Sequence, residues 1–202
     1  MSYARDVGHR QDLLAAARRL LRTKGYARIT ARDLVAESGT NLASIGYHFG
    51  SKEGLLNAAI GEAIEEWTEQ LARVAMADPA ATPAERGFSA WSAMLDGVAA
   101  QRELVVSYLE ALAQAERAPA LREQFARQYR RCRERVAELV AESLGDGTTP
   151  DDPQVRALAG FVMAVCDGFA VQWVLDPEGV PAADELRRGV ERVWGPAHHT
   201  ER

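Results

Sequence analysis

The stretch TARDLVAESGTNLASIGYHFGSK, from Thr30 to Lys52, carries Thr30, Arg32, Ser44, Tyr47, His48 and Lys52. The hydroxyl of Thr30, the phenol of Tyr47, the imidazole of His48 and the ammonium of Lys52 suit phosphate oxygens, contacts that fix register on a duplex without reading its sequence. The Arg32 guanidinium has the fork that grips a guanine edge, worth about 1–3 kcal/mol of discrimination. Ser44 adds a hydroxyl for a base or a phosphate. Ala43 and Gly46 leave room for close approach to base edges or a thymine methyl. Each group has a plainer alternative: a structural histidine for His48, a packed aromatic for Tyr47, a phosphate contact or solvated side chain for Arg32, a surface lysine for Lys52. A cation at the start of a helix opposes the helix dipole, which favours an anionic partner for Lys52.

Such groups act together only if short helices hold them. Thr30 with Asp33 three residues on forms a capping-box pattern, and the spacing predicts a helix over about 31–38, closed by Gly39. Asn41 caps a further helix over about 42–48, stopped by Gly50. Leu34, Val35, Leu42 and Ile45 are expected inside, and Ser44, Gly46, Tyr47 and His48 outside. Two short helices joined by a glycine-containing turn make a helix-turn-helix, whose second helix enters the major groove. Before it, Leu13, Leu14, Ala17, Leu20 and Leu21 mark one face of a helix over about 9–24. After it, Ser51 caps a helix whose stripe is Leu55, Leu56, Ala59, Ile60, Ala63, Ile64 and Trp67.

The remaining chain is helical in spacing throughout. Asp78–Gly87 reads as a break, with two prolines among small residues. Phe88, Trp91, Leu95 and Val98 mark a fifth helix, and Leu104, Tyr108 and Leu112 a sixth. Pro119 opens a long seventh, with Leu121, Phe125, Tyr129, Cys132, Val136, Leu139 and Val140 along its stripe. The eighth, about 154–175, is apolar almost all round, opened by the helix-capping acids Asp151 and Asp152. A short ninth presents Leu186, Val190, Val193 and Trp194, and the tail from Gly195 is expected to fray. The expected fold is all-α, with about nine helices and no alternating strand pattern.

The first part of this chain resembles the tetracycline-repressor (TetR) family of regulators. The resemblance rests on Gly25-Tyr26, Ile29-Thr30, Arg32-Asp33-Leu34, Ala36, Gly39 and above all Ile45-Gly46-Tyr47-His48-Phe49, followed by Ser51-Lys52-Glu53 and Leu55-Leu56. It implies a three-helix DNA-binding head, residues 1–54, and a larger ligand-binding and dimerisation bundle, residues 55–202. It places Thr30, Arg32, Ala43, Ser44, Tyr47, His48 and Lys52 at DNA-contacting positions. Gly46 departs from the aromatic residue common there. The later chain matches in helix order and in the pattern Asp167-Gly168, Gln172-Trp173, Asp176-Pro177, which looks like the family's dimer-forming helix.

A homodimer on a palindromic duplex operator follows, with recognition helices spaced about 34–36 Å or a multiple. The eighth helix is more apolar than one chain needs to cover, and Gly160, Ala164 and Gly168 recur every four residues. The expected interface is Phe161, Ala164, Gly168, Gln172 and Trp173 with Leu186 and Val190 of the ninth helix; the alternative is a helix central to its own subunit. The resemblance also implies a small-molecule effector, with Trp91, Met94, Tyr108, Phe125, Tyr129, Phe161, Val165 and Phe169 as candidate lining. Ordinary core packing is the alternative for most of them. Few charges interrupt these stripes, so an apolar or aromatic effector is expected. Asp167 stands apart, as a ligand partner or a helix-end contact across the dimer.

Composition bounds these readings. The 202 residues carry a net charge of −5 that is unevenly spread. Residues 1–54 hold nine Lys/Arg against five Asp/Glu, and the rest fifteen against twenty-four, a basic head on an acidic body. Arg127, Arg130, Arg131, Arg133 and Arg135 are read as a solvated face rather than a second nucleic-acid patch. Cys132 and Cys166 read as buried thiols in a reducing cytosol, with a disulfide or redox sensor as the alternative. No metal or other cofactor is expected. No stretch approaches the ~20 apolar residues needed to cross a bilayer, and no signal peptide opens the chain, so a cytoplasmic protein without a membrane partner is expected. An enzyme is not: the Glu-x-x-His pairs of a di-iron bundle, a nucleophile elbow and a phosphate-binding glycine loop are all missing. A ligand-blind DNA-binding or adaptor protein is the remaining alternative.

Overall fold

The computed structural model describes residues 2–145 and 147–194; the tail from Gly195 and the side chains of residues 2–7 and of Trp194 lie outside that description. Among the described residues there are nine α-helices and no strand: α1 (Ser2–Thr23), α2 (Ala31–Ser38), α3 (Leu42–Phe49), α4 (Lys52–Ala75), α5 (Pro83–Ala100), α6 (Arg102–Ala115), α7 (Pro119–Leu144), α8 (Pro153–Leu175) and α9 (Ala183–Trp194). A single 3-10 turn, Tyr26–Arg28, precedes α2. The order and type of the helices follow the sequence pattern. α1 begins seven residues before its expected start. α5 begins inside the expected break, because Thr82 and Glu85 form a capping box: the Thr82 N–H donates to Glu85 Oε2 at 2.7 Å and the Glu85 N–H to Thr82 Oγ1 at 3.3 Å.

The chain divides into two compact units. The first takes the chain up to Glu69 together with Gln101–Arg135. Its core holds the expected face of α1 (Leu13, Leu14, Ala17, Leu20 and Leu21), with Leu34, Ile45, Leu55, Leu56, Ala59 and Ile60, and with Leu104, Ala111 and Phe125. Full burial of each such leucine or isoleucine contributes about 1.5–3 kcal/mol, so the packing of α1 and α4 dominates this unit's stability. Two buried polar links among the described residues run through this core: the Tyr26 hydroxyl donates to Asn57 Oδ1 at 2.9 Å, and the Ser107 hydroxyl donates to the Leu21 carbonyl at 3.3 Å. Burial, with Glu53 adding to it, pushes the Tyr26 phenol up to about 12, so it stays a donor. Close approach at α4 depends on small residues. Gly61 lies against the buried Gln128 amide, and Gln124 Nε2 donates to the Gly54 carbonyl at 3.3 Å. At the unit's surface, Arg131 pairs with Glu65 and Arg135 with Glu69, each at 2.7 Å, and Arg127 with Glu123 at 2.8 Å. Much of the arginine run on α7 is thus matched to carboxylates.

The second unit takes Gln70–Ala100 and the chain from Val136. Its core is smaller: Ala137, Ala141, Val155 and Ala159, with Val136 and Val140 packed against them. Met94 and Val98 of α5 are buried, and Trp91 meets Phe169 edge-on at 4.9 Å. Asp152 caps α8 by accepting from the Gln154 N–H at 2.7 Å, with Pro153 as the first residue of the helix. Leu158, Phe161, Val171 and Leu175 of α8 stand exposed. The expectation of no membrane-length apolar stretch needs correction here. By length and composition α8 is long and apolar enough to cross a bilayer, because glycine, alanine and one Asp167 dilute its apolar character less than an unbroken-run criterion assumes. Burial first, then the Asp167 carboxylate, pushes the Cys166 thiol up to about 12, which leaves it protonated and poorly nucleophilic. Cys132 is buried in the first unit; both cysteines are free thiols.

Candidate nucleic-acid interface

The segment between α1 and α4 is built from local capping. Thr30 Oγ1 accepts the Asp33 N–H at 3.2 Å while Asp33 Oδ2 accepts the Thr30 N–H at 2.9 Å, so α2 starts with both orphan groups satisfied. α2 ends at Gly39, in the left-handed region at φ 67°, which turns the chain toward α3. Asn41 Oδ1 caps α3 by accepting the Ser44 N–H at 3.1 Å. Gly50, at φ 74°, closes α3 through its N–H to the Gly46 carbonyl at 3.0 Å. Ser51 Oγ then accepts the Gly54 N–H at 2.9 Å at the opening of α4. α2 and α3 therefore stand as a helix-turn-helix with each start fixed by a side chain.

The outward side of α3 consists of Leu42, Ala43, Gly46 and Tyr47, with Tyr47 76% exposed. His48 is half-buried, its ring 4.9 Å from Tyr47 and 6.1 Å from Phe49, both edge-on. Two expectations are corrected. Leu42, expected inside, is 55% exposed. Ser44, expected outside, is only 8% exposed and its hydroxyl donates to Asn41 Oδ1 at 3.3 Å. The common cause is the Asn41 cap, which turns the Ser44 backbone and side chain toward the turn and rotates Leu42 outward. Ile45 and Leu34 are buried and Val35 half-buried, as expected.

The charged groups separate clearly. Lys52 is anchored: its Nζ donates to the Ile29 carbonyl at 2.9 Å and lies 3.2 Å from Glu53 Oε1. Arg19 pairs with Glu37 at 2.6 Å, Lys24 with Asp33 at 2.7 Å, and Arg18 with Glu66. Arg10 lies 5.6 Å over the Phe49 ring and 3.7 Å from Glu62, which ties the end of α3 to α1 and α4. Arg32, in contrast, is exposed and makes no ion pair or hydrogen bond among the described residues. Thr30 is exposed although its hydroxyl serves the cap. The Arg10, Phe49 and Glu62 contact, the Gly54 approach and the Tyr26–Asn57 bond were not expected from sequence. Only Asn57, an amide inside the stripe from Leu55 to Ile60, carried a visible signal.

Asp33 gives this arrangement a pH signature. A hydrogen bond from Lys24, then those from the Thr30 backbone and hydroxyl, lower its carboxyl from 3.8 to about 2. The folded value lies below the unfolded one, so the stabilisation is complete above 3.8 and fades as pH falls toward about 2. Acid unfolding of the parent should show a loss of stability across that window that Asp33→Asn lacks. Overlaid acid profiles would show that Asp33 contributes nothing to holding α2.

The candidate effector residues fall into two groups. In the first unit, Phe125 is part of the core, Tyr108 meets it edge-on at 6.3 Å, and the Tyr108 and Tyr129 hydroxyls are hydrogen-bonded to each other. In the second unit, Met94 is buried, Trp91, Val165 and Phe169 are half-buried, and Phe161 is 53% exposed. The Trp91 Nε1 is buried without a hydrogen-bond partner. Of the expected interface residues, Ala164 and Gln172 are exposed, while Gly168, Trp173, Leu186 and Val190 are half-buried. Leu186 and Val190 line an open apolar groove with Pro181, Glu185, Gly189 and Val193.

Residues 13–59 match the family model described as bacterial regulatory proteins, tetR family, and residues 83–194 match the one described as BetI-type transcriptional repressor, C-terminal. The chain is similar to the HTH-type transcriptional regulator ArpR of Pseudomonas putida, at 23% identity over 199 residues, 90% of this chain and 88% of that one. It is similar in structure to a transcriptional regulator from Saccharomonospora viridis in complex with choline, with a TM-score of 0.62 at 24% identity, over 91% of this chain and 93% of the other. A transcriptional regulator FadR from Bacillus subtilis, in complex with stearoyl-CoA, gives a TM-score of 0.66 at 18% identity, over 92% and 98%. At these identities the structural likeness is one of fold.

Proposed function

Because the chain belongs to the TetR family of bacterial transcriptional regulators, we propose that it is a ligand-responsive repressor, a cytoplasmic homodimer that grips a palindromic operator and is released by a small apolar or aromatic effector. The observation that carries this reading is the exposed side of α3 beside a capped, rigid turn, with Arg32 left unpaired where most cations around it are matched. Residues 1–54 act as the DNA-binding head and residues 55–202 as the ligand-binding and dimerisation part. Arg32 reads a guanine edge, while Thr30, Tyr47, His48 and Lys52 hold phosphates. Ala43 faces the groove; Ser44 acts through the α3 cap rather than by its own contact.

Pairing of α8 and α9 with their copies is supported by the exposed apolar side chains of α8 and by its glycines: a Cβ at Gly160 or Gly168 would meet nothing within 4 Å. The effector reading is supported by the choline and stearoyl-CoA complexes of the two structural relatives. The Trp91–Phe169 pair, with its unpartnered indole N–H, supplies an apolar wall and one donor.

Binding to duplexes selected from random DNA, followed by anisotropy at several salt concentrations, tests the reading. Arg32→Ala should lose about 10- to 100-fold on the preferred sequence and little on unrelated duplex. Lys52→Ala should weaken every duplex alike and flatten the salt slope by about one. Both variants binding the selected DNA as the parent does would remove this assignment of contacts. Selected DNA held equally with and without a metabolite panel would favour a ligand-blind regulator.

A further inference from the structure

We infer that α3 reads its site through thymine methyl groups, with Leu42 and Ala43 as the specificity-determining side chains and Arg32 of α2 as the long polar reader. This rests on the proposed binding of duplex DNA and adds to it the chemistry of the sequence that is read. The outward side of α3 is Leu42, Ala43, Gly46 and Tyr47. Along a helix of 3.6 residues per turn, Leu42 and Gly46 stack one turn apart and Ala43 and Tyr47 form the adjoining row. The hydroxyl that would have read a base edge, on Ser44, is turned in and committed to Asn41. Gly46 has no side chain, and a Cβ there would meet nothing within 4 Å, so a flat surface can approach the helix closely.

What remains is an isobutyl group, a methyl group and one phenol. In the major groove every polar edge is an acceptor or a donor, and the apolar feature is the 5-methyl of thymine. Leu42 and Ala43 have no donor or acceptor with which to use the polar code. Leu42, at the first position of α3, is 55% exposed and stands on the same side as Gly46. Scattered exposed leucines are ordinary on protein surfaces; this one lies on the side of the recognition helix that a duplex would cover. The half-site is therefore expected to carry thymines opposite α3 and a guanine within reach of Arg32.

Uracil-for-thymine replacement tests this without altering the protein, because it removes only the 5-methyl group. The full-length parent is titrated with duplexes it has selected and with the same duplexes carrying deoxyuridine at single positions. Affinity should fall about fourfold for each contacted methyl removed, the transfer value of one buried carbon. Leu42→Ala, which should melt as the parent does because the side chain is exposed, should bring the thymine-to-uracil ratio close to one at the positions it covers. Equal binding of thymine and uracil duplexes by the parent overturns the inference and leaves DNA binding standing. A Leu42→Ala variant that keeps the parent's ratio at every position overturns the role of Leu42. If no duplex is selected at all, the DNA-binding reading falls and this one with it.

Discussion

Replacing Gly54 by alanine should dislodge the recognition helix. A Cβ built on Gly54 would lie 2.2 Å from the Phe49 carbonyl oxygen and 3.3 Å from both its carbon and Ser51 Oγ. The first of these is a backbone atom at the end of α3, and that end is held by the Gly50 N–H bond to the Gly46 carbonyl at 3.0 Å. Ser51 Oγ is held in turn, since it accepts the Gly54 N–H at 2.9 Å. Neither neighbour can step aside cheaply. Helix propensity alone would predict the opposite sign, a gain of about 1 kcal/mol for alanine over glycine. Overpacking costs about 1–3 kcal/mol and occasionally more, and an approach of 2.2 Å to a backbone oxygen puts this case at the upper end, so it should win. Denaturant unfolding should show a net loss of stability, and affinity for selected DNA should collapse. Gly46→Ala is the internal comparison: it meets open space, so it should gain stability from propensity. A Gly54→Ala variant as stable as the parent would show that α3 and α4 can separate freely.

Phe161→Arg should convert the proposed dimer into monomers and lower DNA affinity by about 100-fold or more, because two linked heads gain roughly that factor over one. Phe161 is 53% exposed in the single chain, so an arginine there has water around it and the subunit keeps its fold. In a twofold interface the same guanidinium would be buried, at a cost of several kcal/mol per ion, once from each copy. Sedimentation of the variant at micromolar concentration reads the outcome directly. A variant that sediments as a dimer would move the interface off this side of α8.

Local signals were the legible part of the chain. The Thr30–Asp33 box, the Asn41 cap and the glycines at 39 and 50 each announce a helix end through residues at most four apart, and all four are present in the structure. The five-residue face of α1 is long enough for its period to be unambiguous. α3 is eight residues, barely two turns, so apolar spacing does not fix its rotation, and Leu42 and Ser44 occupy the sides opposite to those their polarity suggests. The Thr82–Glu85 box was equally local but lay among prolines and alanines that read as a break. Gly54 against Phe49, Tyr26 with Asn57 and Arg10 over Phe49 depend on helices meeting in space, and no spacing along the chain announces them.

The pairing of cations around α1–α4 alters how far this molecule is felt. Counting residues gives the first 54 positions four surplus positive charges. Yet Arg10, Arg18, Arg19, Lys24 and Lys52 each sit within reach of a carboxylate, two of them borrowed from Glu62 and Glu66 farther along the chain. Beyond a screening distance of about 8 Å at physiological ionic strength, such pairs look nearly neutral. On the proposed binding of duplex DNA, arbitrary chromosomal sequence is then expected to attract the protein weakly and to release it quickly. Few copies would then be held on wrong sites, and discrimination would fall to contacts made within that screening distance.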